Sequence, residues 1–120
     1  MAFDPLDWID LAAGLDIASE AACRTAVSRY YYAVFMKSLL SLAHDGKIEP
    51  RGDRTDHGAV ARALRVNRHS AGGALERLAR LREAADYDVT TEFTPLIVAE
   101  AREQALEVVR MCQSDWASLP

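Results

Sequence analysis

A long helix-compatible segment from Glu20 to about Ala43 limits the fold of this chain more than any other feature. Its apolar residues recur at helical spacing over a broad face, which is typical of the central helix of a bundle rather than of a surface helix. That face contains Cys23, Ala26, Val27, Tyr30, Val34 and Leu42, flanked by Tyr31, Phe35 and Leu39. Ser19 precedes the segment as its N-cap, and His44-Asp45-Gly46 ends it.

Start and stop signals predict further helices on both sides of this segment. The starts lie at Asp4-Pro5, where Asp4 is the cap, at Thr55 or Asp56, and at Thr94-Pro95. A break between Asn67 and Ser70 ends the helix that starts at Thr55 or Asp56. The next helix ends near Asp86-Tyr87. No segment alternates strongly enough to be a strand. We therefore expect an all-α fold, an antiparallel up-and-down bundle of four to five helices with a long central second helix.

Composition predicts one domain and excludes several classes of protein. Half of the 120 residues are hydrophobic, so residues 1–120 suffice for a single domain with its own core. Cys23 and Cys112 lie in apolar helical contexts, and we expect reduced core residues. No apolar run reaches the ~20 residues that span a bilayer, and no basic-then-apolar signal opens the chain, so we expect a cytoplasmic protein without a membrane partner. The net charge of −4 argues against a broadly basic nucleic-acid binder, but the arginines cluster between Arg51 and Arg82 and allow a local basic cleft.

Conventional enzyme and metal signatures are absent from the sequence. His44, His57 and His69 are well separated and have no companion at metal-ligand spacing, so we predict no metal and no cofactor. Phosphate-binding glycine loops and a nucleophile with its base are also missing. A metal-free ribonuclease would need a histidine that activates the 2′-hydroxyl and an arginine for the scissile phosphate. Arg51 with His57 and Arg62 with His69 have suitable spacing, but twelve arginines make chance matches common.

The segment from Ser28 to Phe35 places an arginine and three consecutive tyrosines inside the central helix. Adjacent helical residues point about 100° apart, so Tyr30, Tyr31 and Tyr32 cannot share one face. Some of these phenols must go inward, where each hydroxyl needs a partner, and at least one belongs at the rim. Arg29 can bond to such a phenol or turn outward to an acidic or phosphate group. The segment therefore marks either a polar network inside the bundle or one edge of a site.

A second cluster, from Arg82 to Tyr87, lies at the end of the fourth predicted helix. Arg82 and Asp86 are four residues apart and can pair along the helix. One interpretation is a charged last turn that packs against the central helix, with Tyr87 covering the helix end. The other interpretation places Arg82 beside Arg29 across the bundle, in a cleft with two arginines and several tyrosines.

Together the two clusters resemble the HEPN superfamily (higher eukaryotes and prokaryotes nucleotide-binding domain). Its small bacterial members have an Arg-x-Tyr-Tyr-Ala-x-Phe run in the second helix, matched here by Arg29, Tyr31, Tyr32, Ala33 and Phe35. A histidine that often opens the next helix is matched by His57, and an Arg-x-x-Ala-Asp-Tyr ending is matched by Arg82, Ala85, Asp86 and Tyr87. An alanine-rich last helix follows, like the one from Pro95 onward. The resemblance covers nearly the whole chain from about Leu6.

The resemblance implies a helical bundle that usually forms a homodimer, with the active groove at the dimer interface. Many members are metal-independent ribonucleases of toxin–antitoxin, phage-defence or CRISPR-linked systems. Others accompany small nucleotidyltransferases as partner subunits or bind nucleotides without cleaving anything. The ribonucleases carry a histidine a few residues after the late arginine, whereas Tyr87 stands five positions after Arg82 here. Met36 likewise follows Phe35 where the family has histidine, and both departures remove an imidazole.

Three functions follow from these observations. The first is a non-catalytic module that binds a nucleotide, an RNA or a partner protein, with Arg29, Tyr31, Tyr32, Arg82, Asp86 and Tyr87 as its ligand-binding residues. The second is a metal-independent ribonuclease with Arg82 and His57 as the catalytic candidates. The third is a purely structural helical dimerisation domain in which the same arginines and tyrosines form a buried network. The missing histidine and the acidic net charge favour the first function.

Overall fold

Five α-helices make up the fold of the computed structural model, which describes residues 3–120. The helices are α1 (Asp7–Gly14), α2 (Glu20–His44), α3 (Thr55–Asn67), α4 (His69–Tyr87) and α5 (Pro95–Trp116). The described residues contain no β-strand. The predicted all-α bundle with a long second helix is therefore confirmed.

The second helix is the centre of the bundle, because it packs against each of the other four helices. The fourth helix packs in addition against α3 and α5. All five helices contribute to one hydrophobic cluster. The α2 members of that cluster are Cys23, Ala26, Val27, Tyr30, Tyr31, Val34, Phe35 and Leu42. Both cysteines are free and buried, as the sequence predicts.

Two of the predicted helix starts are confirmed, and a third is displaced. The Ser19 hydroxyl accepts a hydrogen bond from the backbone N–H of Ala22 at 3.1 Å, which caps α2. Pro95 occupies the start of α5, where its missing N–H costs nothing. The Asp4 carboxylate accepts the N–H two residues later at 3.0 Å, but the intervening residues form a turn and α1 begins only at Asp7.

The predicted cap of α3 is wrong. Thr55 is the first residue of this helix, and both its N–H and its hydroxyl bond to the Asp53 carboxylate. The Asp56 carboxylate bonds backwards and accepts the N–H groups of Arg51 and Gly52, each at 2.9 Å. Gly52 has a φ of 75°, which glycine adopts without steric cost, so the loop can turn back towards this carboxylate. Asp56 therefore holds the preceding loop against the start of α3.

The predicted break between α3 and α4 narrows to a single residue, Arg68. The two helices approach most closely at Gly72, where an added Cβ would lie 2.6 Å from the backbone N and Cα of Arg65. No side chain fits at that distance, so the close packing of these helices requires glycine at this position. The adjacent Gly73 has more room, because an added Cβ would meet only the Arg77 guanidinium at 3.5 Å.

We predict that Gly72→Ala and Gly73→Ala change the stability in opposite directions. Gly72→Ala forces α3 and α4 apart and should lower the free energy of unfolding by about 1–3 kcal/mol. Gly73→Ala, the matched control one residue away, should raise it by about 0.5–1 kcal/mol because alanine is the better helix former. Urea denaturation of both variants measures the difference. Equal effects of the two substitutions would contradict the close approach of the helices.

Candidate functional site

Helices α2 and α3 bring three aromatic rings into one stack. Tyr31 and Phe35 are four residues apart on α2 and therefore lie on the same side of the helix. The His57 imidazole of α3 lies parallel to the Phe35 ring, with 4.3 Å between the ring centres. A short hydrogen bond also joins the Tyr31 hydroxyl to Nδ1 of His57. This hydrogen bond gives the buried Tyr31 hydroxyl the partner that its burial requires.

Two arginines from different helices converge on this aromatic group. The guanidinium carbon of Arg82, on α4, lies 5.2 Å from the centre of the Tyr31 ring and 5.7 Å from that of Tyr32. The guanidinium carbon of Arg29, on α2, lies 5.4 Å from the Tyr32 ring and 5.1 Å from the Trp8 ring of α1. These distances suit attraction between a cation and the face of an aromatic ring. Tyr32, which is half-buried, thus lies near both positive charges.

The positive charge of this site exceeds its negative charge. Asp86 is the only carboxylate among residues 3–120 that pairs with either arginine, and its contact with Arg82 is long, at 3.5 Å. Nε of Arg82 is buried and has no hydrogen-bond partner in the described part of the chain. Only 14% of the Arg82 side chain is exposed, so its charge is poorly solvated. An anion beside the Arg82 guanidinium would balance its charge and replace the missing solvation.

The environment keeps the imidazole and the phenol neutral at physiological pH. Burial lowers the pKa of His57 below its ordinary 6.5, and the nearby Arg82 charge lowers this pKa further, while Asp56 opposes both. Burial also raises the pKa of Tyr31 far above its ordinary range, and the Arg82 charge only partly opposes this. A neutral imidazole keeps one nitrogen free of a proton, so His57 can accept as well as donate a hydrogen bond.

Two hydrogen-bonding networks position the elements that carry these residues. Asp56 holds the preceding loop and so defines the first turn of α3, where His57 lies. Arg24 of α2 donates to the carbonyl oxygens of Ala84 and Ala85 at 3.1 and 2.8 Å, and to that of Thr91 at 2.7 Å. These carbonyls belong to the last turn of α4 and to the loop after it. Arg24 therefore fixes the end of the helix that carries Arg82.

The structure brings together most of the residues that the sequence predicts for the site. Arg29, Tyr31, Tyr32, His57 and Arg82 form one cluster, and Asp86 borders it through its pair with Arg82. Both arginines lie near the Tyr32 ring, and the interpretation that they line one cleft stays a prediction.

Four other candidate residues lie outside this cluster, namely Arg51, Arg62, His69 and Tyr87. Tyr87 is 75% exposed, so it does not cover the helix end, and it borders a surface groove with Asp88. His69 lies exposed at the start of α4, whereas Arg62 borders a cleft that is also lined by His57. Arg51 contributes its backbone N–H to Asp56, and its side chain is exposed.

Sequence reasoning missed the roles of Trp8, Arg24 and Asp56. Trp8 supplies the second aromatic ring for Arg29, a contact between two helices that no local residue pattern marks. Arg24 and Asp56 act by bonding to backbone groups, and one of these contacts spans 67 positions along the chain. No residue pattern marks such contacts, because any carbonyl or N–H can be the partner.

Comparisons with known proteins give no relative for this chain. No protein-family model matches it, and neither a curated protein nor a solved structure is similar enough to count as a match. Among residues 3–120, no helix has both the length and the apolar composition needed to cross a bilayer.

We predict that the pKa of His57 lies below 6.5 and depends on the charge of Arg82. Arg82→Met should raise this pKa, because the substitution removes a positive charge that opposes protonation. Arg77→Met on the same helix is the control, since Arg77 bonds instead to Gln104 of α5. NMR titration of the imidazole resonances measures the shift. Identical midpoints in the two variants would show that Arg82 and His57 are not neighbours.

The same shift makes the stability depend on pH in a defined direction. The unfolded chain binds the His57 proton more tightly than the folded protein does, so the free energy of unfolding should decrease as the pH falls below 6.5. His57→Gln should remove this part of the decrease. Thermal melts at pH 7 and pH 5 provide the comparison between the variant and the unsubstituted chain.

Proposed function

We propose that this chain is a HEPN-like module that binds the phosphate groups of an RNA or a nucleotide through Arg29 and Arg82. The observation that carries the proposal is the convergence of two guanidinium groups on Tyr32, with only one weakly paired carboxylate beside them. Guanidinium groups present planar, paired donors that match phosphate oxygens. A partly buried position strengthens such contacts, because less water competes for the donors.

The unpartnered Nε of Arg82 supports a ligand at this position. A buried donor without an acceptor lowers stability by an amount of the order of 1–3 kcal/mol, and a negative charge beside the same guanidinium would offset part of that loss. A phosphate group that contacts the exposed part of the Arg82 side chain would supply this negative charge. The half-buried ring of Tyr32 lies 5.4 Å from the Arg29 guanidinium carbon and 5.7 Å from that of Arg82, and it offers an aromatic surface for an attached base or sugar.

A cleft beside His57 supports a ligand with more than one phosphate. This cleft has a volume of about 310 Å³, and its polar lining consists of Tyr31, His57, Arg62, Arg80 and Glu76, the last of which pairs with Arg65. Neither Arg62 nor Arg80 forms an ion pair with another of the described residues. Local positive charge of this kind can attract a polyanion even though the whole chain carries a net charge of −4.

We predict that Arg29→Met and Arg82→Met each weaken the binding of a fluorescent single-stranded oligoribonucleotide by about tenfold or more. Each should also reduce the dependence of the affinity on salt by about one ion, because one phosphate contact is lost. Arg77→Met, which removes an equal charge outside the cluster, should leave the affinity within about twofold. Fluorescence anisotropy at several salt concentrations, with a mononucleotide as competitor, measures these effects and distinguishes the two ligand classes.

The structural alternative makes the opposite prediction for the same variants. If the arginines serve only as a buried network, Arg29→Met and Arg82→Met will lower the melting temperature and leave ligand binding intact. Equal losses of affinity in these variants and in Arg77→Met would also contradict the proposal, since binding would then depend on overall charge rather than on the cluster.

A second candidate function, a metal-independent ribonuclease, is favoured by the position of His57. The imidazole is neutral and lies beside Tyr31, with Arg82 close enough to lower its pKa. Such an imidazole can accept the proton of a 2′-hydroxyl while an arginine stabilises the charge that develops on the phosphate. In this candidate function, His57 takes the role of the histidine that follows the matched arginine in the family's ribonucleases, where this chain has Tyr87.

Cleavage assays separate this second function from simple binding. If it holds, purified protein should cleave RNA in the presence of EDTA, and His57→Gln and Arg82→Met should each abolish cleavage while His69→Gln leaves it unchanged. If RNA remains intact at every divalent-ion concentration while the protein still binds it, the ribonuclease is excluded and the binding module is retained.

The proposal includes a homodimer and a role in a toxin–antitoxin or defence-type system in the cytoplasm, with a small nucleotidyltransferase as a candidate partner. These parts depend on the family resemblance. Exposed apolar side chains close to Asp86, namely Tyr87 at 75% and Val89 at 89% exposure, supply a surface that a second copy could cover. Native mass measurement at micromolar concentration tests the dimer, and a monomer would remove the shared groove from the proposal.

A further inference from the structure

A cavity separate from the arginine–tyrosine cluster lies between α1, α2 and α5. Its volume is about 350 Å³, which is within the range of small-molecule sites. Its apolar walls include Ala12 of α1, Leu15 and Ile17 of the following loop, and Val98 of α5. Two polar side chains complete the lining, Tyr30 of α2 and Arg102 of α5.

Tyr30 places an unpartnered hydroxyl in this cavity. The residue is 1% exposed, and no group among residues 3–120 forms a hydrogen bond with its hydroxyl. Burial raises its pKa, so the hydroxyl keeps its proton and remains a donor. Tyr30 precedes Tyr31 on α2 and therefore points about 100° away from the first cluster. The Tyr30 hydroxyl is not among the fully buried unpartnered atoms of the described residues, so a ligand in the cavity can reach it.

Arg102 supplies a positive charge beside this hydroxyl. Its side chain is exposed and forms no ion pair with the described residues. The two groups are close enough for the Arg102 charge to oppose the rise in the pKa of Tyr30. No carboxylate lines the cavity. The cavity therefore combines a cation and a hydroxyl donor with a predominantly apolar wall.

We propose that this cavity binds a small amphipathic carboxylate. The carboxylate accepts hydrogen bonds from the Arg102 guanidinium and the Tyr30 hydroxyl, and its hydrocarbon chain lies against Leu15, Ile17 and Val98. One arginine and one phenol provide the donors that a single carboxylate needs. A phosphate group carries more charge and would lie against a wall that cannot solvate it. The volume limits the ligand to a short or medium chain.

Octanoate is the probe. Acetate, which has the carboxylate without the long hydrocarbon chain, and 1-octanol, which has the chain without the carboxylate, are the matched ligands. We expect saturable binding of octanoate by NMR titration, with a Kd below about 1 mM, and at least tenfold weaker binding of each matched ligand. Arg102→Gln and Tyr30→Phe should each weaken octanoate binding by about tenfold. The control is Arg110→Gln, which removes an arginine two turns further along α5, where it pairs with Glu107 outside the cavity.

Three outcomes would overturn the proposal. The first is the absence of saturable shifts, which would also be the result if a second copy of the chain covered the cavity. The second is equal affinity for octanoate and 1-octanol, because the carboxylate would then contribute nothing. The third is an equal loss of affinity in Arg102→Gln and Arg110→Gln. None of these outcomes bears on RNA binding at Arg29 and Arg82, which can be measured on the same samples.

Discussion

Burial of α2 on nearly all sides is the constraint on which the rest of the structure depends. This helix packs against all four other helices, so each consecutive side chain meets a different neighbour. Tyr30 faces the cavity next to α5, Tyr31 meets His57 of α3, and Tyr32 lies at the rim near two arginines. Three adjacent phenols are compatible with one helix only because three different environments surround it. The two proposed sites follow from this arrangement.

The central helix also carries buried polar groups, and some of their partners come from distant parts of the chain, whereas the Ser38 hydroxyl has none among the described residues. Arg24 satisfies carbonyl groups at the end of α4, and Lys37 pairs with Asp4 at 3.1 Å from a position with only 10% of its side chain exposed. Such contacts offset the desolvation of the charged groups only when the geometry is good. Arg82 differs from both, because one of its buried nitrogen atoms has no partner. Its charge is also balanced only by Asp86 at 3.5 Å, and this weak pairing is the physical reason for placing an anion beside Arg82.

Much of the fold could be predicted from local signals. Helical periodicity identified α2 and its buried face, Ser19 marked its start, and Pro95 marked the start of α5. The displaced start of α1 and the incorrect cap of α3 show the limit of such signals. A carboxylate near a helix start can bond forwards, as Asp4 does, or backwards, as Asp56 does. The choice depends on the path of the neighbouring loop, and the residue type is the same in both cases.

The sequence by itself determined that the chain forms helices, where α2 and α5 begin, and that arginines and tyrosines occupy the second and fourth helices. These properties follow from spacing and capping within a few residues. Only the tertiary structure decided that His57 joins Tyr31, that Trp8 lies against Arg29, and that Tyr30 lines a separate cavity. The reason is that helix packing sets which side chains meet. A single glycine at position 72 can decide how closely α3 and α4 approach. The spacing of residues along the chain does not reveal the distance between two helices.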